Sequence, residues 1–354
     1  MKNNYLFQCD LLEWYHKNAR VLPWRNEPTP YRVWISEMML QQTRVDTVIP
    51  YFMKFISELP TVQALAAVEE DKLLKLWQGL GYYNRALNLK KAAQILVAEH
   101  QGELPSELTQ LVSLPGIGPY SAGAIASIAF GKAVPAVDGN VLRIIARLLA
   151  SHEDISNTKI RKQMQEIAAH LVSQEEPGHF NQALMDLGAT ICIPNGEPKC
   201  IQCPVSKHCK AYRHGLTSEI PIKVLKKVRS IDKKTVFVIS SKGKFALRKR
   251  EAGGLLPNLW EFPNVDVYLN ENQCKDVLTD MGIEVKQITE LIPSKHIFSH
   301  REWHMKGYFV LAEADKSVVD FIWVTKNQIN QQYAIPTAFK DFIKVCEKKA
   351  AETQ

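Results

Sequence analysis

The spacing of hydrophobic residues divides the chain into two parts of different period. Up to about residue 212, apolar residues recur three and four positions apart, as in Val141, Ile144, Ile145 and Leu148, which is the spacing of one buried helix face. Pro and Gly punctuate the pattern at Pro60, Gly102 to Pro105, Gly131 to Pro135 and Pro177-Gly178, so this part reads as a series of short helices. Downstream, β-rich runs at Thr235 to Ser240 and Phe245 to Arg250 flank Ser-Lys-Gly-Lys, a hairpin signal, and Phe309 to Ala312 and Phe321 to Val324 read as further strands. The expected architecture is multidomain, an all-α domain followed by an α+β domain that begins near Ser230. A chain of 354 residues exceeds the usual size of one core, and no apolar run approaches the roughly 20 residues of a membrane helix.

Two of the predicted helices carry chemistry. With Thr29 as N-cap, the first runs from Pro30 to about Thr43, and Val33, Glu37 and Leu40 fall on one face. A carboxyl among apolar residues costs free energy unless it is protonated or partnered, and desolvation raises its pKa from about 4.3 toward neutrality. Such a group is a proton donor at working pH. The second runs from Asp138, the expected N-cap of the helix that holds Val141 to Leu148. Before it, Pro105 and Ser106 start a short helix, Gly116 ends it, and Pro119 suits the first turn of the next. Gly116 and Gly118 let the backbone approach a ligand closely, and the amides at the second helix's start form an anion site suited to a DNA phosphate. An ordinary αα-hairpin, a surface Glu and a plain N-cap fit the same residues.

Four cysteines, Cys192, Cys200, Cys203 and Cys209, are separated by seven, two and five residues and suggest one metal site. Cysteine is sparse elsewhere and the stretch from Met1 to Asn18 lacks the apolar core of a signal peptide, so a reducing, cytoplasmic compartment is expected. Spacing alone leaves zinc and iron-sulfur open. The net charge of +7 is concentrated, with ten Lys or Arg between Lys199 and Lys234 against Glu219 and Asp232. That run reads as a basic connector at residues 213–230 laid along nucleic acid.

Together, Leu114-Pro-Gly-Ile-Gly-Pro-Tyr120 and Val137-Asp-Gly-Asn-Val141 resemble the helix-hairpin-helix DNA glycosylases, the superfamily of endonuclease III. Leu22-Pro-Trp-Arg25 and the run from Val33 to Val45 are similar to the MutY family of adenine glycosylases within it. The resemblance implies a glycosylase domain over residues 1–212, with a four-iron four-sulfur cluster on the four cysteines at about 190–212. The family's first cysteine gap is six residues, one fewer than here. The resemblance implies Glu37 as the acid that protonates adenine and Asp138 as the carboxylate facing the sugar, with Tyr120 and Asn140 positioning groups around them. Trp24, Arg25 and Gln182 are implied around the flipped base, Leu40 and Thr43 as further substrate- or DNA-binding residues, Gln42 and Tyr82 as side chains inserted into the base stack, and Gly116 and Gly118 on the DNA backbone. Lyase members carry Lys where Tyr120 stands, and a phenol forms no Schiff base with an opened sugar. A glycosylase without a strong lyase step follows.

Gly254-Leu-Leu-Pro-Asn-Leu-Trp-Glu-Phe-Pro263 resembles Nudix folds, which implies a Nudix-like domain over residues 231–350. The stretch Lys275-Asp-Val-Leu-Thr-Asp-Met-Gly282 has lost the Glu cluster that a Nudix hydrolase needs for Mg²⁺. In the MutY family this domain reads the base opposite adenine, and His296-Ile-Phe-Ser-His300 implies lesion reading by Phe298, Ser299 and His300. The expected partner is duplex DNA with adenine opposite 8-oxoguanine or guanine, bound by a monomer in the bacterial cytoplasm at the nucleoid, with no membrane. The rival readings are a bifunctional endonuclease III-like lyase, a non-catalytic iron-sulfur DNA-binding protein and a nucleotide pyrophosphatase.

Overall fold

The computed structural model describes residues 2–222, 229–313 and 321–352. The middle of the basic connector, residues 223–228, lies outside the described residues. Two compact units are present, one formed by residues 1–67 and 88–225, the other by residues 68–87 and 226–354. Among the described residues no helix is long and apolar enough to cross a membrane.

The helical part runs as α1 (Lys2–Asn18), α2 (Pro23–Asn26), α3 (Pro30–Leu40), α4 (Val45–Glu58), α5 (Val62–Ala67), α6 (Glu70–Leu76), α7 (Asn84–Glu99), α8 (Leu108–Ser113), α9 (Pro119–Phe130), α10 (Gly139–Leu149), α11 (Thr158–Leu171), α12 (Pro177–Thr190) and α13 (Lys210–Arg213). Helix α3 starts where the sequence predicts, because the Thr29 hydroxyl accepts from the Arg32 amide and Pro30 fills the first turn. It ends at Leu40, three residues before the expected Thr43, because Gln42 enters the left-handed region at φ 60°. Helix α8 begins at Leu108 rather than at Pro105, since residues 105–107 remain non-helical. The chain then reverses through Gly116 at φ 81°. The apolar stripe of α10, Val141, Ile144 and Ile145, packs with Phe180, Leu184 and Leu187 of α12 and with Phe7 and Leu11 of α1.

In the second unit β1 (Ser230–Ser241), β2 (Lys244–Lys249), β3 (Trp260–Glu261), β4 (Asn264–Val265), β5 (Val285–Ile297), β6 (Arg301–Ala312) and β7 (Ile322–Val324) form one sheet of order β3-β2-β1-β6-β5, with β4 on β1 and β7 on β2. Only the β1–β6 pairing is parallel among those described. Helix α14 (Glu271–Asp280) covers one face with Cys274 and Leu278 over Phe237, Ile239 and Val310. On the other, Phe342 and Cys346 of a C-terminal helix (Lys340–Glu352) cover Val236, Val238 and Met305. Burial on both faces explains why residues 236–239 of β1 are all apolar. Strand β5 escapes the sequence reading: its exposure does not alternate, and its register slips between Leu291 and Ser294, around Pro293.

Candidate active site

The first unit holds a cavity of about 550 Å³, lined by Trp24, Arg25, Glu37, Leu40, Thr43, Tyr120, Asp138, Asn140 and Gln182 among others. This lies within the roughly 300–1,000 Å³ of small-molecule sites. Four helices converge there, α3 bringing Glu37, α9 Tyr120, α10 Asn140 and α12 Gln182. Glu37 is only 4% exposed, and its Oε2 is buried without a hydrogen-bond partner. Burial pushes its carboxyl up to about 7, the Tyr120 hydroxyl draws it back, the Asp138 charge adds to the rise and Arg25 opposes it. An acid of this kind carries its proton near neutral pH and presents it to the cavity.

Asp138 is held differently. Its Oδ1 accepts from the amides of Asn140 and Val141, at 2.9 and 2.8 Å, and its Oδ2 from the Asn140 side chain at 2.8 Å. Burial raises its pKa, while these donors and Arg143 favour the charged form. Asn140 is fixed in turn by Arg143, whose Nη2 donates to Asn140 Oδ1 (2.9 Å) and to the Gly188 carbonyl (2.8 Å) and whose Nε donates to the Cys192 carbonyl (2.8 Å). A Cβ on Gly188 would stand 2.7 Å from the Asn140 Cβ. Only glycine lets α10 and α12 approach this closely.

Sequence reasoning missed Arg143, Gly188 and Asp186. Asp186 is completely buried and binds both terminal nitrogens of Arg25, at 2.8 and 2.9 Å, and Nε of Arg20 at 2.8 Å. Despite its burial, the two guanidinium groups hold its carboxyl below the usual range. The planar fork of Arg25, expected to face a flipped base, is therefore committed to Asp186. Arg25 borders the cavity as a fixed positive wall, beside Trp24, which packs edge-on against Phe52 at 5.4 Å. The available signal was Asp186 four residues after Gln182, flanked by Leu184, Met185 and Leu187 on α12.

Gly118 leaves open space where a Cβ would stand, whereas a Cβ on Gly116 would meet the Asn88 Cβ at 2.8 Å and the Met38 Cε at 3.0 Å. The expectation of ligand approach thus divides. Gly118, N-cap of α9, offers an open backbone, and Gly116 serves the turn and its internal packing. Gln42 is exposed and left-handed, a conformation costing about 1–2 kcal/mol for a residue with a side chain. Tyr82, in the second unit, shares this state at φ 48° and is 45% exposed. Arg85 holds its turn by donating to the carbonyls of Leu80 and Gly81 at 3.0 and 2.9 Å, with its guanidinium over the Trp77 and Tyr82 rings. In the same unit the Phe298 amide donates to the Arg301 carbonyl and closes the β5–β6 turn. Phe298 packs on Trp303 at 4.9 Å. The Tyr82 and Ser299 hydroxyls are hydrogen-bonded. On α14, Thr279 spends its hydroxyl on the Lys275 carbonyl and Lys275 pairs with Glu271 at 2.7 Å.

Cys192, Cys200, Cys203 and Cys209 are free, half-buried thiols. Arg147 donates to Cys192 Sγ at 3.2 Å and to the carbonyls of Ile193 and Ile220. Burial, opposed by the Val205 amide and aided by charge on Cys192, Cys209 or Cys200, pushes the Cys203 thiol up to about 12. The loop is tied to α1 through Asp10, which accepts from His208 at 2.7 Å and Lys207 at 2.9 Å. Lys207, one of the cations of this basic run, pairs with Asp10 while its side chain stays 61% exposed.

Residues 35–170 match the family described as HhH-GPD superfamily base excision DNA repair protein, and residues 235–345 match the NUDIX domain. An adenine DNA glycosylase of Buchnera aphidicola is 38% identical over 307 residues, covering 86% of this chain and 87% of the relative. One of Schizosaccharomyces pombe is 32% identical over 97% of this chain and 90% of its own. Among solved structures, a thermostable thymine-DNA glycosylase is 29% identical with a TM-score of 0.55, covering 60% of this chain and 98% of its own. Similarity over nearly the full length, through both the helical and the Nudix-like part, makes this chain a member of the adenine DNA glycosylase family.

Proposed function

We propose that the protein excises adenine from duplex DNA by hydrolysing the N-glycosidic bond, and that the adenine it acts on lies opposite 8-oxoguanine or guanine. The observation that carries this reading is Glu37, a buried acid with an unpartnered oxygen, in the lining of a cavity that also holds an anchored carboxylate. The bond from adenine N9 to C1′ breaks through an oxocarbenium-like sugar. Glu37 donates its proton to N7, so the base leaves neutral. Asp138, ionised and held by three donors, stabilises the cationic sugar, and water adds at C1′. Asn140 orients Asp138, and Tyr120 stands over Glu37. Trp24 and Gln182 wall the base, Leu40 and Thr43 line the same cavity, and Gln42 fills the space beside the extruded nucleotide. With a phenol at Tyr120, no amine is placed there for a lyase step. A DNA substrate and the sparse cysteines outside residues 192–209 support a cytoplasmic location, at the nucleoid.

The cysteine loop fits a four-iron four-sulfur cluster. Four thiols sharing one buried neighbourhood need a cationic centre to ionise together. Zinc also accepts four thiolates, so metal analysis decides between the two. Bound there, the cluster supplies structure by crosslinking the loop. The purified protein should contain about four iron and four sulfide per chain. Stoichiometric zinc without iron after anaerobic purification overturns this assignment.

Lesion reading rests on the turn at Phe298, Ser299 and His300. 8-Oxoguanine differs from guanine by an O8 acceptor and an N7 hydrogen, and a good base contact is worth about 1–3 kcal/mol. The test is adenine release from duplexes with adenine opposite 8-oxoguanine, guanine or thymine, for wild type and the Ser299→Ala/His300→Ala variant. The variant should lose its preference for 8-oxoguanine while processing adenine opposite guanine at a comparable single-turnover rate. Equal loss on both substrates by a folded variant, or full retained preference, refutes the lesion-reading role. Strand nicking without added base or heat would instead favour the lyase reading.

A further inference from the structure

Outside the cavity and the cysteine loop, His16, Glu176 and His179 bring their ligand atoms within 4.8 Å of one another. His16 Nε2 stands 3.1 Å and His179 Nδ1 2.8 Å from the same oxygen, Oε2 of Glu176. We infer that these three residues form a binding site for one divalent transition-metal ion of the zinc class, with solvent completing the coordination.

The donor chemistry selects the ion. Two imidazoles and one carboxylate are a ligand set for zinc and its neighbours, not for calcium or magnesium, which take oxygen. Bonds of about 2.0–2.1 Å at tetrahedral angles put neighbouring ligand atoms about 3.3–3.4 Å apart. The two separations, 3.1 and 2.8 Å, fall short of that by about 0.2–0.6 Å, so a small opening of exposed side chains admits the ion. The ligands are also oriented in advance. Glu176 is the residue before α12 and His179 lies three positions on, in its first turn, so both project from one helix end. His16 comes from the last turn of α1. The two imidazoles stand edge-to-face at 5.3 Å and 90°, and both lie against the buried Tyr15 ring. All three ligands retain 40–53% of their side-chain exposure, which leaves a path for entry and room for water.

Such an ion would fasten α1 to the start of α12, residues far apart in sequence, and so stabilise the fold by binding the native state alone. Its position is consequential, because α12 carries Gln182 and Asp186 and because Tyr15 lies under the Arg25 guanidinium at 5.7 Å. The site does not depend on the cluster or on the glycosylase reading.

The competing account is a pair of hydrogen bonds from two imidazoles to one carboxylate. Gln separates the two, since its amide still donates to Glu176 but is a poor zinc ligand. Full-length protein, iron content checked before and after, is titrated with Zn²⁺ under equilibrium dialysis, and with Co²⁺ as a spectroscopic probe. Wild type should retain one zinc beyond anything held at the cysteines and gain a zinc-dependent rise in melting temperature. His16→Gln and His179→Gln should each weaken binding by at least about tenfold, the double variant should abolish both effects, and its Co²⁺ spectrum should lose the imidazole-bound component. The inference is overturned if wild type retains no zinc outside the cysteines, or if the double variant keeps the same zinc stoichiometry and thermal shift.

Discussion

Glu37→Gln should bind a duplex containing adenine opposite 8-oxoguanine about as tightly as wild type while single-turnover adenine release falls by about a thousandfold or more, the upper range of general-acid catalysis. The amide preserves shape and hydrogen bonding and removes only the proton. Because burial pushes Glu37 up to about 7, the wild-type rate should decline about tenfold per pH unit above that pH, as the acid form is depleted, and level off below it until protonation of Asp138 removes the charge the sugar needs. The variant's residual rate should not follow that curve. Stability gives an independent check. The folded pKa lies above the ordinary value of 4.5, so the stability associated with this carboxyl is fully present below about 4.5 and is lost as pH rises to about 7. Above that, ionised Glu37 costs on the order of 3 kcal/mol, at about 1.4 kcal/mol for each pH unit between those two values. Glu37→Gln should therefore melt higher than wild type at pH 8 and nearly equally at pH 4.5. A single-turnover rate within about threefold of wild type, under 1 kcal/mol of barrier, would remove Glu37 from the acid role.

The parts of this arrangement that local rules govern were visible in the sequence. Thr29-Pro30, Gly118-Pro119 and Asp138 each announce a helix start by a cap or a preset φ, and each starts one. The apolar residues around Glu37 and after Asp138 predicted that α3 and α10 are buried, but not that residues 33–39 and 141–147 are buried on every side. What local rules do not govern was missed. Gln42 and Tyr82 adopt left-handed backbones that no propensity favours, so the end of α3 was placed too late. Asp186 and Arg143 gain their meaning from partners over forty residues away, and nothing in a helical pattern separates a buried ion pair from a surface one. Strand β5 is held by pairing with β6 rather than by alternation. His16, Glu176 and His179 illustrate the same limit, since a Glu-x-x-His spacing says nothing until α1 brings the third ligand.

Asp138→Asn isolates charge from architecture more cleanly than any other change at this site. Asn is as good an N-cap as Asp, so its side-chain oxygen can still accept from the amides of Asn140 and Val141 and α10 should form unaltered. The bond from Asn140 Nδ2 to Oδ2 would then face an amide group instead of a carboxylate oxygen, a local loss of about 1 kcal/mol. The expected melting temperature is within a few degrees of wild type, by about 2–8 °C per kcal/mol. Catalysis should respond on another scale. The negative charge is needed only when the sugar becomes cationic, so its removal leaves ground-state binding intact and raises the barrier. Loss of one preorganised electrostatic partner costs about 10²–10³ in rate, and a full unit of charge beside a cation should reach at least the upper end. The signature is a single-turnover rate for adenine release reduced by about a thousandfold with unchanged duplex affinity, the pattern of an interaction made only in the transition state. The pH profile should retain the decline above about 7 that belongs to Glu37. Were the fall no larger than that of a helix-cap variant, or matched by an equal fall in duplex binding, Asp138 would be a capping residue and the cationic sugar would have to be stabilised by another group in the cavity.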